Sequence, residues 1–264
     1  MELKLPSPVL HVEHLDFHFP THSVFQRFNQ QFGPGVTWLR GANGAGKTTL
    51  LKLAGGALLP ARGAIRLDDI DSAFMPLAYR SQAFYCGGDA PSLPWLQVHE
   101  MLDLHLALYP GSDQSLLNDE LSAFAMTPTL QQSINALSLG QHKKLQLALA
   151  LALPVRLLLI DEPFNGLDAA AMAYLRRRLS DPARLARQCI VLTSHLEPAL
   201  PLALLSAQPP QALPPAQSLR HRPLGLPPAS QHTLRLQPVL QTGQSPSPGH
   251  QPQTLYSQCS VYSV

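Results

Sequence analysis

Gly41-Ala42-Asn43-Gly44-Ala45-Gly46-Lys47-Thr48 satisfies every fixed position of G-x-x-x-x-G-K-[ST], the spacing of a loop that cradles phosphate. Glycines let such a loop curl with its backbone N–H groups turned inward, and the helix that follows adds the positive end of its dipole. Lys47 would reach the β- and γ-phosphates of a nucleotide, and the Thr48 hydroxyl would ligate Mg²⁺. Thr49 continues the first helical turn and completes the set expected to touch phosphate.

A second group of reactive residues lies further on. Leu157-Leu158-Leu159-Ile160 is wholly apolar, as a buried parallel strand must be, and it ends in Asp161-Glu162-Pro163. Open α/β sheets bind ligands at the carboxyl ends of their strands, so these carboxylates are expected beside the phosphate loop. Asp161 is placed to hold Mg²⁺ through its water shell, and Glu162 to orient and deprotonate an attacking water. Cys189-Ile190-Val191-Leu192-Thr193 reads as a last buried strand that delivers Ser194-His195 to the same edge, with His195 facing the γ-phosphate. Ser138, in Leu137-Ser138-Leu139-Gly140-Gln141, reads as the N-cap of a helix and so offers a second anion site at a helix N-terminus.

These residues need elements to position them. Val36 to Leu39, led in by Pro34-Gly35, is a β-prone run before the loop, and Thr49 to Ala57 is rich in helix formers after it. Leu15, Phe17 and Phe19 alternate with polar residues, which predicts a half-buried strand ended by Pro20. His11, His14, His18 and His22 follow no metal-ligand spacing and read as its solvated face. Phe19 could stack on a base or simply pack in the core. Ala64 to Leu67, running into Asp68-Asp69, predicts a second, antiparallel sheet, and Tyr79 to Cys86 a further strand. Val98 to Leu108 and Gln114 to Met126 suit two helices of a compact insertion. From Leu145 to Leu153 the leucines recur at period two, but the alanines between them and the lack of β-branched residues favour a buried helix. Asn165-Gly166-Leu167-Asp168 turns into a helix from Ala169 to Leu179.

Composition is uneven along the 264 residues. The first 197 hold 16 Lys and Arg against all 17 acids, a net charge of −1, so no global basic character argues for nucleic acid as a partner. Cys86, Cys189 and Cys259 are widely spaced and predict reduced thiols with no disulfide framework or zinc knuckle. The longest apolar region, Leu145 to Ile160, is interrupted by Gln146, Pro154 and Arg156 and falls short of the roughly 20 residues of a membrane helix.

Taken in order, these segments resemble the nucleotide-binding subunit of ATP-binding-cassette (ABC) transporters. Gly41 to Thr48 matches the family's Walker A, and Leu137 to Gln141 matches its LSGGQ signature except at the third place. Leu157 to Glu162 matches Walker B with the catalytic glutamate, Asn165 to Asp168 the D-loop, and His195 the switch histidine; Phe19 falls where the family places its base-stacking aromatic. The resemblance spans roughly residues 9 to 198. It implies an α/β P-loop NTPase fold with a mixed core sheet, an antiparallel β-subdomain and a helical insertion over about residues 90–150. It also implies an ATPase that binds ATP and Mg²⁺ as a homodimer or heterodimer, in which Lys47 of one cassette and Ser138, Gly140 and Gln141 of the other enclose one nucleotide. The partners implied are integral-membrane transporter subunits, on the cytoplasmic face of the membrane. The short insertion is reminiscent of haem-exporter ATPases. A soluble, non-transport ABC ATPase and a catalytically weak regulatory cassette are the alternatives.

Two departures stand out. Family members carry a glutamine at the end of the strand before the helical insertion; here Gly88 takes that place and Gln82 lies six residues earlier. Either Gln82 shifts into the role or the role is vacant, and vacancy is favoured. Leu139 replaces a signature glycine, a change expected to be mild. The cassette is expected to span residues 7–198. From 199 to 264 the chain has no acid and no lysine and, counted from Pro198, half of the 26 prolines, which predicts disorder or translation of a shifted reading frame.

Overall fold

Residues 9–88, 93–195, 197–207 and 235–237 are described in the computed structural model. β1 (Leu10–Phe19) and β2 (His22–Phe32) form a hairpin across Pro20-Thr21, and β4 (Arg62–Leu67) and β5 (Ile70–Asp71) widen it into an antiparallel sheet of order β2-β1-β4-β5. Leu10, Val12, Leu15 and Phe17 point inward from β1. The register slips between Val12 and Leu15, where His14 adopts a φ of 49° and its N–H donates to Asn29 Oδ1 at 2.8 Å. Gly63 on β4 lies so close to this irregularity that an added Cβ would stand 2.5 Å from the carbonyl oxygens of Glu13 and His14. With a φ of 91°, that position admits only glycine.

The central sheet contains β3 (Gly35–Gly41), β6 (Ala83–Cys86), β7 (Leu157–Ile160), β8 (Cys189–Thr193), β9 (Leu202–Ala207) and β10 (Arg235–Gln237), in the order β10-β9-β3-β8-β7-β6. All neighbours are parallel except β10 on β9. Strand alternation divides its residues between two cores. Leu157, Leu159, Cys189 and Val191 face α1 (Lys47–Ala54), which lies between this sheet and the antiparallel one. Leu158, Ile160, Ile190 and Leu192 face the opposite core, built with α3 (Val98–Leu108), α4 (Gln114–Ala123), α5 (Leu139–Ala152) and α6 (Ala169–Leu179). The remaining helices are short: α2 (Pro76–Ser81) and α7 (Pro182–Arg187).

The period-two leucines do form a helix. In α5 every residue from Leu145 to Ala152 except Gln146 is buried, so this half of the helix is buried around nearly its whole circumference and carries no amphipathic stripe. Each buried leucine contributes about 2 kcal/mol, and the intervening alanines let neighbours approach closely.

Three expectations are corrected. The strand expected from Tyr79 begins only at Ala83, because Pro76 at the first helical position starts α2, and the buried Tyr79 donates its hydroxyl to Ala54 O at 2.6 Å. The helix expected to reach Met126 ends at Ala123, where Ala125 turns to a φ of 56° and the Met126 N–H donates back to Leu121 O. The cassette does not end at 198. Leu202–Ala207 forms β9 in parallel register with β3, pairing Val36 with Leu202 and Gly41 with Ala207, and Leu204 and Leu205 are buried. A bulk composition averaged over the tail conceals this six-residue strand, apolar at every position but Ser206, which a frame change at 198 gives no reason to expect. Residues 208–234 and 238–264, the rest of the tail expected to be disordered or frame-shifted, lie outside the described residues.

Candidate functional site

β3 runs straight into the phosphate loop, and the loop into α1. Gly44 and Gly46 have φ of 78° and 86°, and a Cβ on Gly46 would lie 2.8 Å from Val24 Cγ1 and 3.1 Å from Phe25 Cζ, so β2 backs directly onto the loop. Gly46 is the N-cap of α1 and supplies no side-chain cap. The first turn therefore presents its N–H groups to the concavity of the loop. Lys47 folds back across the loop, its Nζ donating to Gly41 O at 2.8 Å and Ala42 O at 3.0 Å.

The carboxyl ends of β7 and β8 close the other side. Thr48 Oγ1 donates to Asp161 Oδ2 at 2.7 Å, so the two expected Mg²⁺ ligands are in contact, from residues 113 apart in sequence. Thr193 Oγ1 donates to the other oxygen of the same carboxylate, Asp161 Oδ1. Hydroxyl and carboxylate oxygens are hard donors, and one carboxylate with a hydroxyl suits Mg²⁺, which completes its shell with water and substrate phosphate.

Glu162 follows in a left-handed conformation, φ 50°, unusual for a side-chain-bearing residue. This turn carries its carboxylate to His195: the His195 N–H donates to Glu162 Oε2 at 3.2 Å, and Nε2 stands 3.4 Å from Oε1. Asn165 Nδ2 adds a contact to Oε2 at 3.4 Å. Trp38 Nε1 donates to Ser194 O at 3.0 Å and anchors the strand end that bears the histidine.

At α5, Ser138 is the N-cap as expected. Its Oγ accepts from Gln141 N at 3.2 Å, and Gln141 Oε1 accepts from Ser138 N at 2.9 Å. Gln141 thus spends its side-chain carbonyl on a capping box. Ser138 and Leu139 face solvent, Leu139 being 91% exposed. A Cβ on Gly140 would come within 3.3 Å of Gly166 O, which sets the signature turn against the turn before α6. There Asp168 caps α6 by accepting from Ala171 N at 2.8 Å and pairs with Lys144; that hydrogen bond to the ammonium holds the Asp168 carboxyl below the usual range.

The ABC transporter family model matches residues 26–165, more than half of the chain. The chain belongs to the ABC transporter family. It is 26% identical over 197 residues to the uncharacterized ABC transporter ATP-binding protein YdbJ of Bacillus subtilis, covering 73% of this chain and 63% of that one. To the Fe(3+) ions import ATP-binding protein FbpC 2 of Pectobacterium atrosepticum it is 33% identical over 164 residues, 60% of this chain and 47% of that one. The chain thus spans less than two thirds of both relatives. It spans 95% of the cytochrome c biogenesis ATP-binding export protein CcmA of Legionella pneumophila, at 29% identity over 74% of this chain. Among solved structures, an ATP-binding subunit of an ABC transporter superposes with a TM-score of 0.69 at 27% identity, over 75% of this chain and 85% of that one. A dimeric post-hydrolysis cassette, MJ0796 with ADP and Pi, shares the fold with a TM-score of 0.61 at 18% identity, over 71% and 88% of the two chains.

Within this ABC cassette the two candidates for the glutamine role separate. Gln82 lies at the amino end of β6, where its carbonyl accepts from Arg156 N and Leu157 N at 2.9 Å, at the opposite end of the sheet from Asp161. Gly88 lies beyond the carboxyl end of β6, exposed, with open space where a Cβ would be. Phe19 is 37% exposed, edge-on to Phe17 at 5.1 Å and beside His22 at 5.4 Å, on the hairpin whose second strand touches Gly46. Two residues without a motif of their own, Thr193 and Lys143, also contact the Asp161–Glu162 strand end. Thr193 was detectable as the one polar residue ending an apolar strand at the ligand-binding edge. Lys143, whose Nζ donates to Asp161 O at 2.8 Å, carries no such local signal.

Proposed function

We propose that this chain binds and hydrolyses ATP to drive a membrane transporter, acting in pairs so that each nucleotide lies between two cassettes. The observation that carries this reading is the convergence at one strand edge of Thr48, Asp161, Thr193, Glu162 and His195 beside the phosphate loop. Lys47 would exchange its carbonyl partners for phosphate oxygens, and the N-terminal turn of α1 would hold the remainder of the anion. Mg²⁺, held by Thr48 and by Asp161, would supply neutralisation of phosphate charge. Glu162 would accept the proton of the attacking water, with His195 orienting its carboxylate from the side facing the γ-phosphate. Phe19 would stack on the base.

Ser138 and Leu139 are exposed and Gly140 half-buried at the surface of their own chain, which fits a signature turn that engages the nucleotide of a second copy. The helical insertion carries exposed Trp95, Leu104 and Leu108, an apolar surface suited to a membrane subunit at the cytoplasmic face. Among the described residues no helix is long and apolar enough to cross a membrane, so in this reading other chains supply the spans. We group the chain with small export cassettes, because it spans nearly the whole of a CcmA export protein.

Glu162→Gln tests the reading. ATP turnover by the purified full chain should fall by about 10²-fold or more, while nucleotide binding persists and ATP-dependent dimers accumulate. Unchanged turnover in that variant would remove Glu162 as the base. Lys47→Ala should abolish nucleotide binding itself. Copurification from membranes with a multispan protein separates the transporter subunit from a soluble ATPase.

A further inference from the structure

The peptide unit joining Asp161 to Glu162 is held at both of its polar ends. Its carbonyl, Asp161 O, accepts a hydrogen bond from Lys143 Nζ at 2.8 Å, and its N–H, on Glu162, donates to Thr193 Oγ1 at 2.9 Å. One tether comes from α5, the helix that Ser138 caps; the other comes from the end of β8. The orientation of this peptide plane, together with the left-handed φ of Glu162, sets where the Glu162 carboxylate points.

Lys143 does not act alone on that helix face. Gln146, one turn along, accepts a hydrogen bond from the Cys86 thiol at 3.9 Å, so α5 reaches the carboxyl ends of both β6 and β7. Burial pushes the Cys86 thiol up to about 11, which keeps it a donor at neutral pH. The end of β6 itself offers no side chain at Gly88. Among the described residues, Lys143 and Gln146 thus give α5 polar links to the carboxyl ends of β7 and β6.

We propose that Lys143 is a positioning residue for Glu162: it ties the signature helix to the Asp161–Glu162 peptide, so that engagement of Ser138 by a second chain is felt at the hydrolytic carboxylate. The proposal rests on the assignment of Glu162 as the base. A half-buried ammonium is suited to this role, since it has three donors and no acceptor and can follow a carbonyl through small shifts of the helix.

The test uses the full chain with Lys143→Met, which keeps the length and removes the donors, and Lys143→Arg, which restores a donor. Lys143→Leu, which likewise carries no donor, replaces the methionine variant should that one fail to fold. In nucleotide-free protein, hydrogen exchange at the Glu162 amide should accelerate about tenfold in Lys143→Met and stay within about twofold in Lys143→Arg. With ATP and Mg²⁺, kcat should fall about 10- to 100-fold in Lys143→Met with KM within about threefold, and Lys143→Arg should recover most of it. The proposal is overturned if exchange and kcat in Lys143→Met match the wild type while Glu162→Gln is inactive. It is also overturned if both Lys143 variants lose thermal stability and raise KM to the same extent, as a merely structural lysine would. Should Glu162→Gln retain turnover, it is the assignment of the base that fails, and the exchange measurement still decides whether Lys143 holds the peptide.

Discussion

Arg178 on α6 grips the carboxylate of Glu120 on α4, its Nε donating to Oε1 at 2.7 Å, and Tyr174 donates its hydroxyl to Oε2 at 2.9 Å. Glu120 is completely buried, so this contact fastens the helical insertion to the helix that Asp168 caps. Burial and the bond to Glu120 push the Tyr174 hydroxyl up to about 12, so at neutral pH it remains a donor. Removing one member of such a set strands the other. Arg178→Met leaves a buried carboxylate without its cation and is expected to cost about 3 kcal/mol or more, whereas Tyr174→Phe costs about 1 kcal/mol. Urea unfolding of the three proteins measures both differences.

Thr193 joins Asp161, the proposed Mg²⁺ ligand, to Glu162, the proposed base, donating to Asp161 Oδ1 and accepting from the Glu162 N–H. Valine keeps the shape and removes both bonds. Thr193→Val is expected to lower kcat about tenfold or more, by freeing the Glu162 backbone and loosening the Asp161 carboxylate, while leaving Lys47-dependent nucleotide binding within about threefold. Steady-state kinetics beside a nucleotide titration separate the two effects.

Gly63 and Gly88 should respond oppositely to the same change. At Gly63 an added Cβ meets backbone oxygens at 2.5 Å with a φ of 91°, whereas at Gly88 it meets open space. Gly63→Ala is expected to destabilise by about 2 kcal/mol or more, through strain that no side-chain movement relieves. Gly88→Ala should remain within about 0.5 kcal/mol of the wild type. Thermal unfolding of the two variants shows the contrast directly.

The pH dependence of the Asp168 cap follows from its neighbours. The Lys144 hydrogen bond, then the Ala171 N–H, hold this carboxyl below its ordinary range. A carboxyl lowered on folding contributes stability that is present above its unfolded value, about 3.9, and is lost as pH falls through the lowered folded value. Asp168→Asn keeps a cap oxygen but cannot titrate. The variant should lose stability less steeply than the wild type on acidification below about pH 4, as measured by urea midpoints across that window.

Local chemistry made much of the cassette legible from residues alone. The phosphate loop, the Asp161-Glu162 pair at the end of an apolar run, the Ser138 cap, and the helices at Val98–Leu108 and Ala169–Leu179 all depend on spacings within one element. Their physics is complete over a few residues, so a linear reading reaches it. Tertiary structure alone decided what depends on direction and on distant partners. Gln82 lies at the wrong end of β6 because a strand four residues long separates its two ends, and only the sheet shows which end meets Asp161. The six residues of β9 become a strand because β3 offers an unpaired edge, which the proline-rich composition around them concealed. Lys143 and Thr193 reach the Asp161–Glu162 peptide through hydrogen bonds that span 18 and 31 residues, contacts that packing creates and sequence periodicity cannot encode.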